Sequence, residues 1–173
     1  VVDACPSGKA ALPVRLAALL ESLGEEGVRR TLRRLRCSNA CVEQTAVLVR
    51  ENREFARWGT LAAPEQKLWL RKLLGRQDLE TVEGLAALCA AKEPENQTRY
   101  RQLLQTARAV EEAGLCCRIA QLAVNGRDLM AAGIPAGPAL RSTLERLLEQ
   151  VIREQLPNEK EPLLAAAVQS AAT

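Results

Sequence analysis

Apolar residues recur along this chain at the three- and four-residue spacing of helices, and alternating strand patterns are nearly absent. Pro13 stands where a first helical residue belongs, and Gly24 closes that helix. Residues 25–36 form the next. Ser38-Asn39 reads as the N-cap of a long helix running to about Trp58. Ala63-Pro64 opens a helix that stops at Gly75. Asp78 caps one that reaches Lys92, and Pro94 breaks the chain before a longer helix from about 95 to 114. A turn over 122–126 leads to a short helix over 128–132. Pro138 then begins the most regular helix, where Leu140, Leu144, Leu147, Leu148, Val151 and Ile152 follow an amphipathic stripe. Leu156-Pro157-Asn158 ends it. A last helix passes through Leu163 and Leu164, and Pro162 leaves its start undefined. The pattern predicts an all-α protein. The charged, proline-bearing Lys92-Glu93-Pro94-Glu95 divides it into a helical body-like region over 1–92 and a helical tail-like region over 93–173.

Composition narrows the chemistry. Of 173 residues, 47% are hydrophobic but only 2% are aromatic, so the core is built from Leu, Ala and Val, which suits close-packed helices. Lys and Arg number 24 against 21 Asp and Glu, a net charge of +3 that permits nucleic-acid contact without demanding it. There is no histidine. That excludes imidazole acid–base catalysis, Ser-His and Cys-His nucleophile pairs, and any zinc site that needs an imidazole. Cys5, Cys37, Cys41, Cys89, Cys116 and Cys117 form no C-x-x-C knuckle, so they read as free thiols in a reducing cytosol with no bound zinc. The apolar stretch from Ala10 to Leu20 is interrupted by Pro13 and Arg15 and lacks a basic segment before it, and no run is long enough for a membrane span. The expected location is the cytoplasm, with no membrane partner. P-loop, G-x-G-x-x-G and D-x-D motifs are absent, so no catalytic residue is assigned.

Two features point to binding. In the helix over 25–36, Val28, Leu32 and Leu35 share one stripe at about 100° per residue, and Arg29, Arg30, Arg33, Arg34 and Arg36 share the opposite arc. Guanidinium pairs on such an arc suit phosphates, although Glu21, Glu25 and Glu26 lie near and a simply solvated face has the same pattern. A second row, Arg50, Arg53 and Arg57, is interleaved with Glu51 and Glu54. The other feature is Gly133-Ile134-Pro135-Ala136-Gly137-Pro138, a two-glycine turn between helices. It resembles a helix-hairpin-helix element, in which amides at the second helix's start accept a phosphate oxygen; a plain C-cap followed by a proline start reads the same way.

Three segments in order then carry a resemblance: Leu122-Ala123-Val124-Asn125-Gly126-Arg127-Asp128-Leu129-Met130, the turn from Gly133 to Pro138, and Leu156-Pro157-Asn158. They resemble the tail of bacterial class II CCA tRNA nucleotidyltransferases, of the poly(A) polymerase/tRNA nucleotidyltransferase family. Arg33 to Asn39 is similar to that family's body, so the likeness runs from about Val14 to Leu164. The resemblance implies a body and tail that hold the acceptor and elbow of tRNA. A separate head, with paired aspartates and Mg2+, adds CMP and AMP to the 3′ end. The chain then reads as a fragment beginning at Val1, inactive alone, with no cofactor of its own and tRNA as its partner. The implied tRNA-binding residues are Arg29, Arg30, Arg33 and Arg34 in the body and Arg127, Gly133, Gly137 and Arg141 in the tail. Where Arg141 stands, the family commonly has a small residue. Two other readings use the same features: a helical protein-interaction scaffold without RNA binding, and a helix-hairpin-helix DNA-binding module.

Overall fold

The computed structural model describes residues 1–5 and 11–171, so Ala10 lies outside the described residues. They are all-α: α1 (Leu12–Leu20), α2 (Gly24–Arg34), α3 (Asn39–Arg57), α4 (Ala63–Arg76), α5 (Leu79–Lys92), α6 (Gln97–Glu112), α7 (Gly126–Ala131), α8 (Pro138–Ile152) and α9 (Lys160–Ala171). Several predicted caps are formed. Ser38 Oγ accepts from Cys41 N–H at 3.3 Å, and Asp78 accepts from Thr81 N–H at 2.9 Å. Pro162 falls within the first turn of α9. Amides there have no intrahelical acceptor, so the proline removes no bond.

The chain forms two compact units, residues 1–61 with 77–111 and residues 62–76 with 112–171. This differs from the cut expected between 92 and 93. Glu93–Asn96 is not a free linker, because Glu93 accepts from Asn96 Nδ2 and from the Tyr100 hydroxyl, both at 2.8 Å. Tyr100 also stacks on Phe55 at 6.1 Å, and Arg99 lies 5.4 Å over the Trp58 ring. These contacts tie α6 to the first unit.

In that unit α3 is central and packs against α1, α2 and α5. Its buried Asn52 accepts from the Cys89 thiol at 3.2 Å and donates to Glu21 at 2.8 Å, and Lys92 closes the chain by pairing with Glu21 at 2.8 Å. A buried amide with both ends satisfied specifies one packing rather than merely tolerating it. Burial pushes the Cys89 thiol up to about 12, which leaves it unreactive. All six cysteines are free thiols.

In the second unit α8 packs against α4, α7 and α9. Its core joins Cys116, Leu122, Val124, Leu129, Ile134, Leu147, Val151, Leu163 and Ala167. Arg71 on α4 is 3% exposed. Its guanidinium donates to Cys116 O and, at 3.4 Å, to Ile152 O, carbonyls at the loop before α7 and at the end of α8.

Four carboxylates that bind cations sit below their ordinary range. The bond from Arg29 lowers Glu25, the bond from Lys160 lowers Asp128, and bonds from Lys72 and Lys67 lower Glu149 and Glu154. A carboxylate depressed in the folded state stabilises it above the unfolded pKa, near 4, and that contribution is lost as pH falls through the folded value. With no histidine, nothing opposes this near neutrality. The melting temperature should therefore be flat from about pH 5.5 to 8 and drop below about pH 4. Scanning fluorimetry across that range checks it, and a step near pH 6.5 would contradict it.

Candidate nucleic-acid interface

On α2, Val28 and Leu32 are fully buried, as the stripe requires. Leu35 departs from it and is 66% exposed. The helix ends at Arg34, and the chain reverses at Arg36, whose φ is 57°, so Leu35 lies past the end of the packed surface.

The arginine arc divides by pairing. Arg29 is only 17% exposed and bonds Glu25 at 2.9 Å and Glu43 of α3, clamping α2 to its neighbour. Those bonds, Glu43 first, push its guanidinium further up. Arg33 is 63% exposed and reaches Glu43 only at 3.7 Å. Arg30, Arg34 and Arg36 are exposed and have no ion-pair partner among the described residues. Arg30, Arg33 and Arg34 line a shallow depression with Glu26 and Arg29. In the second row Arg50 is held by Glu25 at 3.3 Å and Glu51 at 3.1 Å.

The tail turn is built by local bonds. Asn125 caps α7 by accepting from Arg127 N–H at 2.8 Å and Asp128 N–H at 3.2 Å, and Asp128 accepts in return from Asn125 N–H at 3.0 Å. Lys160 of α9 pairs with Asp128 at 2.6 Å. α7 ends in a Schellman cap: Ile134 N–H reaches Leu129 O and Gly133 N–H reaches Met130 O, both at 3.0 Å. Gly133 has φ 93° and Gly137 φ 106°, values that disfavour any side chain, while nothing lies within 4 Å of either missing Cβ.

The amides at the start of α8 offer less to an anion than spacing suggests. Pro138 has no N–H, and Leu140 donates to Gly137 O at 3.1 Å. Arg127 is exposed, and Arg141 is exposed and pairs with Glu145 at 2.9 Å. Asn158 joins the third segment to the first by accepting from Ala123 N–H at 2.9 Å and donating to Gln121 O at 2.8 Å. The tail segments quoted for the resemblance are thus one bonded frame.

Sequence reasoning passed over Arg71. Its signal was an arginine set among Leu68, Leu70, Leu73 and Leu74, on a helix whose neighbouring positions are buried. Among the described residues no group of three Cys, Asp or Glu side chains could hold a metal ion.

Comparison with known proteins follows the same lines. The family model described as tRNA nucleotidyltransferase domain 2 matches residues 14–167. The CCA-adding enzyme of Geobacillus kaustophilus is 30% identical over 157 residues, covering 87% of this chain and 35% of that protein. The CCA-adding enzyme of Levilactobacillus brevis is 56% identical over 45 residues, 26% of this chain and 11% of that one. The crystal structure of the Bacillus stearothermophilus CCA-adding enzyme in complex with CTP shares the fold, with a TM-score of 0.65 at 24% identity over 92% of this chain and 38% of that one. The chain spans about a third of the length of the Geobacillus relative. With the bonded tail frame in place and the family model matching from α1 to α9, the chain belongs to the tRNA nucleotidyltransferase domain 2 family.

Proposed function

We propose that this chain is the tRNA-holding, body-and-tail part of a CCA-adding tRNA nucleotidyltransferase. It grips the acceptor and elbow region while a separate catalytic part adds CMP and AMP to the 3′ end. The observation that carries the reading is the division of the α2 arc. Arg29 is spent on α3, while Arg30, Arg34 and the nearly unpaired Arg33 stand together on one exposed edge. Backbone phosphates are the ligand such an edge suits, and structured RNA is held largely through backbone and shape. In the tail, Arg127 and Arg141 flank the turn that Gly133 and Gly137 form, which supplies a second contact.

The described residues offer no metal cluster, so Mg2+ chemistry is assigned on this reading to the catalytic part and no step is routed through this chain. No helix among the described residues is long and apolar enough to cross a membrane.

Filter binding tests the reading. The protein should retain tRNA in preference to a scrambled RNA of equal length and to duplex DNA. A log–log salt slope of about −2 to −3.6 is expected for three or four phosphate contacts. Equal retention of the scrambled RNA would remove the specific role. Preference for duplex DNA would favour the DNA-binding reading, and no retention at all the scaffold.

A further inference from the structure

Among the described residues, α2, α7 and α8 end in the same Schellman geometry, and they differ in the residue placed at the left-handed position. α7 uses Gly133, α2 uses Arg36 (φ 57°) and α8 uses Glu154 (φ 59°). Glycine adopts that conformation freely and other residues do so under strain. The bonds that define the α2 cap are Cys37 N–H to Leu32 O at 3.1 Å and Arg36 N–H to Arg33 O at 3.0 Å.

Glu154 is explained by the fold, because it pairs with Lys67 of α4 at 2.6 Å. Arg36 has no such partner among the described residues. Beside it Leu35 is the most exposed large hydrophobic residue of the described chain. Arg34, on its other side, is exposed and unpaired as well. The corner between α2 and α3 therefore holds an exposed leucine flanked along the chain by two exposed arginines that have no ion-pair partner among the described residues. One of those arginines stands on a backbone that glycine would relieve. No ion pair among the described residues uses either arginine.

Resting on the RNA-holding reading, we propose that this corner is a seat for one unstacked nucleotide. Arg34 and Arg36 take the phosphates on either side of it, and Leu35 lies against its ribose and base. The alternation of charge, apolar surface and charge matches a nucleotide between its two phosphates. Within a paired helix the base faces are stacked and closed to a side chain. An apolar tip gains contact only where a nucleotide is splayed out, as in loops. Arg30 and Arg33, further back on α2, remain as contacts for the backbone alone.

The test uses the full chain and two RNAs, tRNA and a fully paired RNA of equal charge with blunt ends. Leu35→Ser should weaken tRNA binding about five- to tenfold. It should leave the salt slope and binding to the paired RNA unchanged, because no cation is removed. Arg36→Gly should make the tRNA salt slope shallower by roughly 0.7 to 0.9, while its melting temperature stays equal or rises because glycine relieves the cap. Unchanged tRNA affinity in both folded variants overturns the seat. So does an equal loss on tRNA and paired RNA with Leu35→Ser, which would make the corner a duplex contact. A change in oligomeric state with Leu35→Ser and intact RNA binding also overturns it, in favour of a protein partner. A parent protein that binds no tRNA would overturn the RNA-holding reading itself. A parent that binds with both variants unaffected overturns only the seat.

Discussion

The Arg30→Glu/Arg34→Glu protein should bind tRNA at least tenfold more weakly than the parent while melting at the same temperature. Both side chains are exposed and without ion-pair partners among the described residues, so charge reversal breaks no ion pair there, and the cost to folding should stay within about 0.5 kcal/mol. Two phosphate contacts are lost and two repulsive charges take their place on an edge that Glu26 already makes less positive. The salt slope should also become shallower by about 1.5. Filter binding at two salt concentrations, with a melting curve for each protein, reads both quantities. A folded double variant with the parent's affinity and slope would show that this edge is only solvated. Arg29 is the wrong residue for the experiment. Replacing it by Glu would place a carboxylate against Glu25 and Glu43 and release α2 from α3, so any loss of binding would be confounded with loss of structure.

Gly75→Ala should lower the melting temperature of the second unit by roughly 10 °C or more. A Cβ at Gly75 would stand 2.3 Å from the Cys117 carbonyl oxygen and 3.3 Å from its carbon. The obstacle is backbone that cannot easily retreat. Cys117 and Arg118 both give their N–H to Gln121 Oε1, at 2.8 and 2.9 Å, and Arg118 donates to Leu74 O at 3.4 Å. Overpacking of this kind costs about 1–3 kcal/mol or more, and each kcal/mol is worth roughly 4–8 °C in a unit of this size. Gly126→Ala should be far milder, since its Cβ would meet the tip of Leu140 at 3.2 Å, a side chain that can shift. Calorimetry separates the two, and a Gly75→Ala protein within about 2 °C of the parent would contradict the close approach.

Much of the fold was legible in advance because its signals are local. The caps at Ser38 and Asp78, the proline that starts α8 and the leucine stripe behind it all depend on residues within a turn or two. Three things were not legible, each for a long-range reason. Leu35 fits the apolar period yet lies outside the core, because period reports phase around a helix and not where the packed surface ends. Arg29 looks like its neighbours along the sequence, and only the approach of Glu43 from α3 removes it from the free edge. The charged stretch at Glu93 has a linker's composition, but Tyr100 and Asn96 fold it against the first unit. The resemblance was legible for a different reason: its segments make the bonds of Asn125, Asp128, Gly133 and Asn158, and those bonds fix residue identity more narrowly than burial does.

The position of α4 in the chain has a kinetic consequence. Its partners in the second unit lie far downstream: Lys67 meets Glu154 across 87 residues, and Glu65 meets Arg153 across 88. At about 5–20 residues per second, a ribosome takes roughly 4 to 18 s to deliver those partners after α4 has emerged. During that interval Leu68, Leu70, Leu73 and Leu74, all buried in the folded protein, stand on a helix whose partner α8 has not yet been made. The nascent chain is then most exposed to aggregation just after α4 appears, and a chaperone that covers one apolar helix for several seconds would act at this point in synthesis.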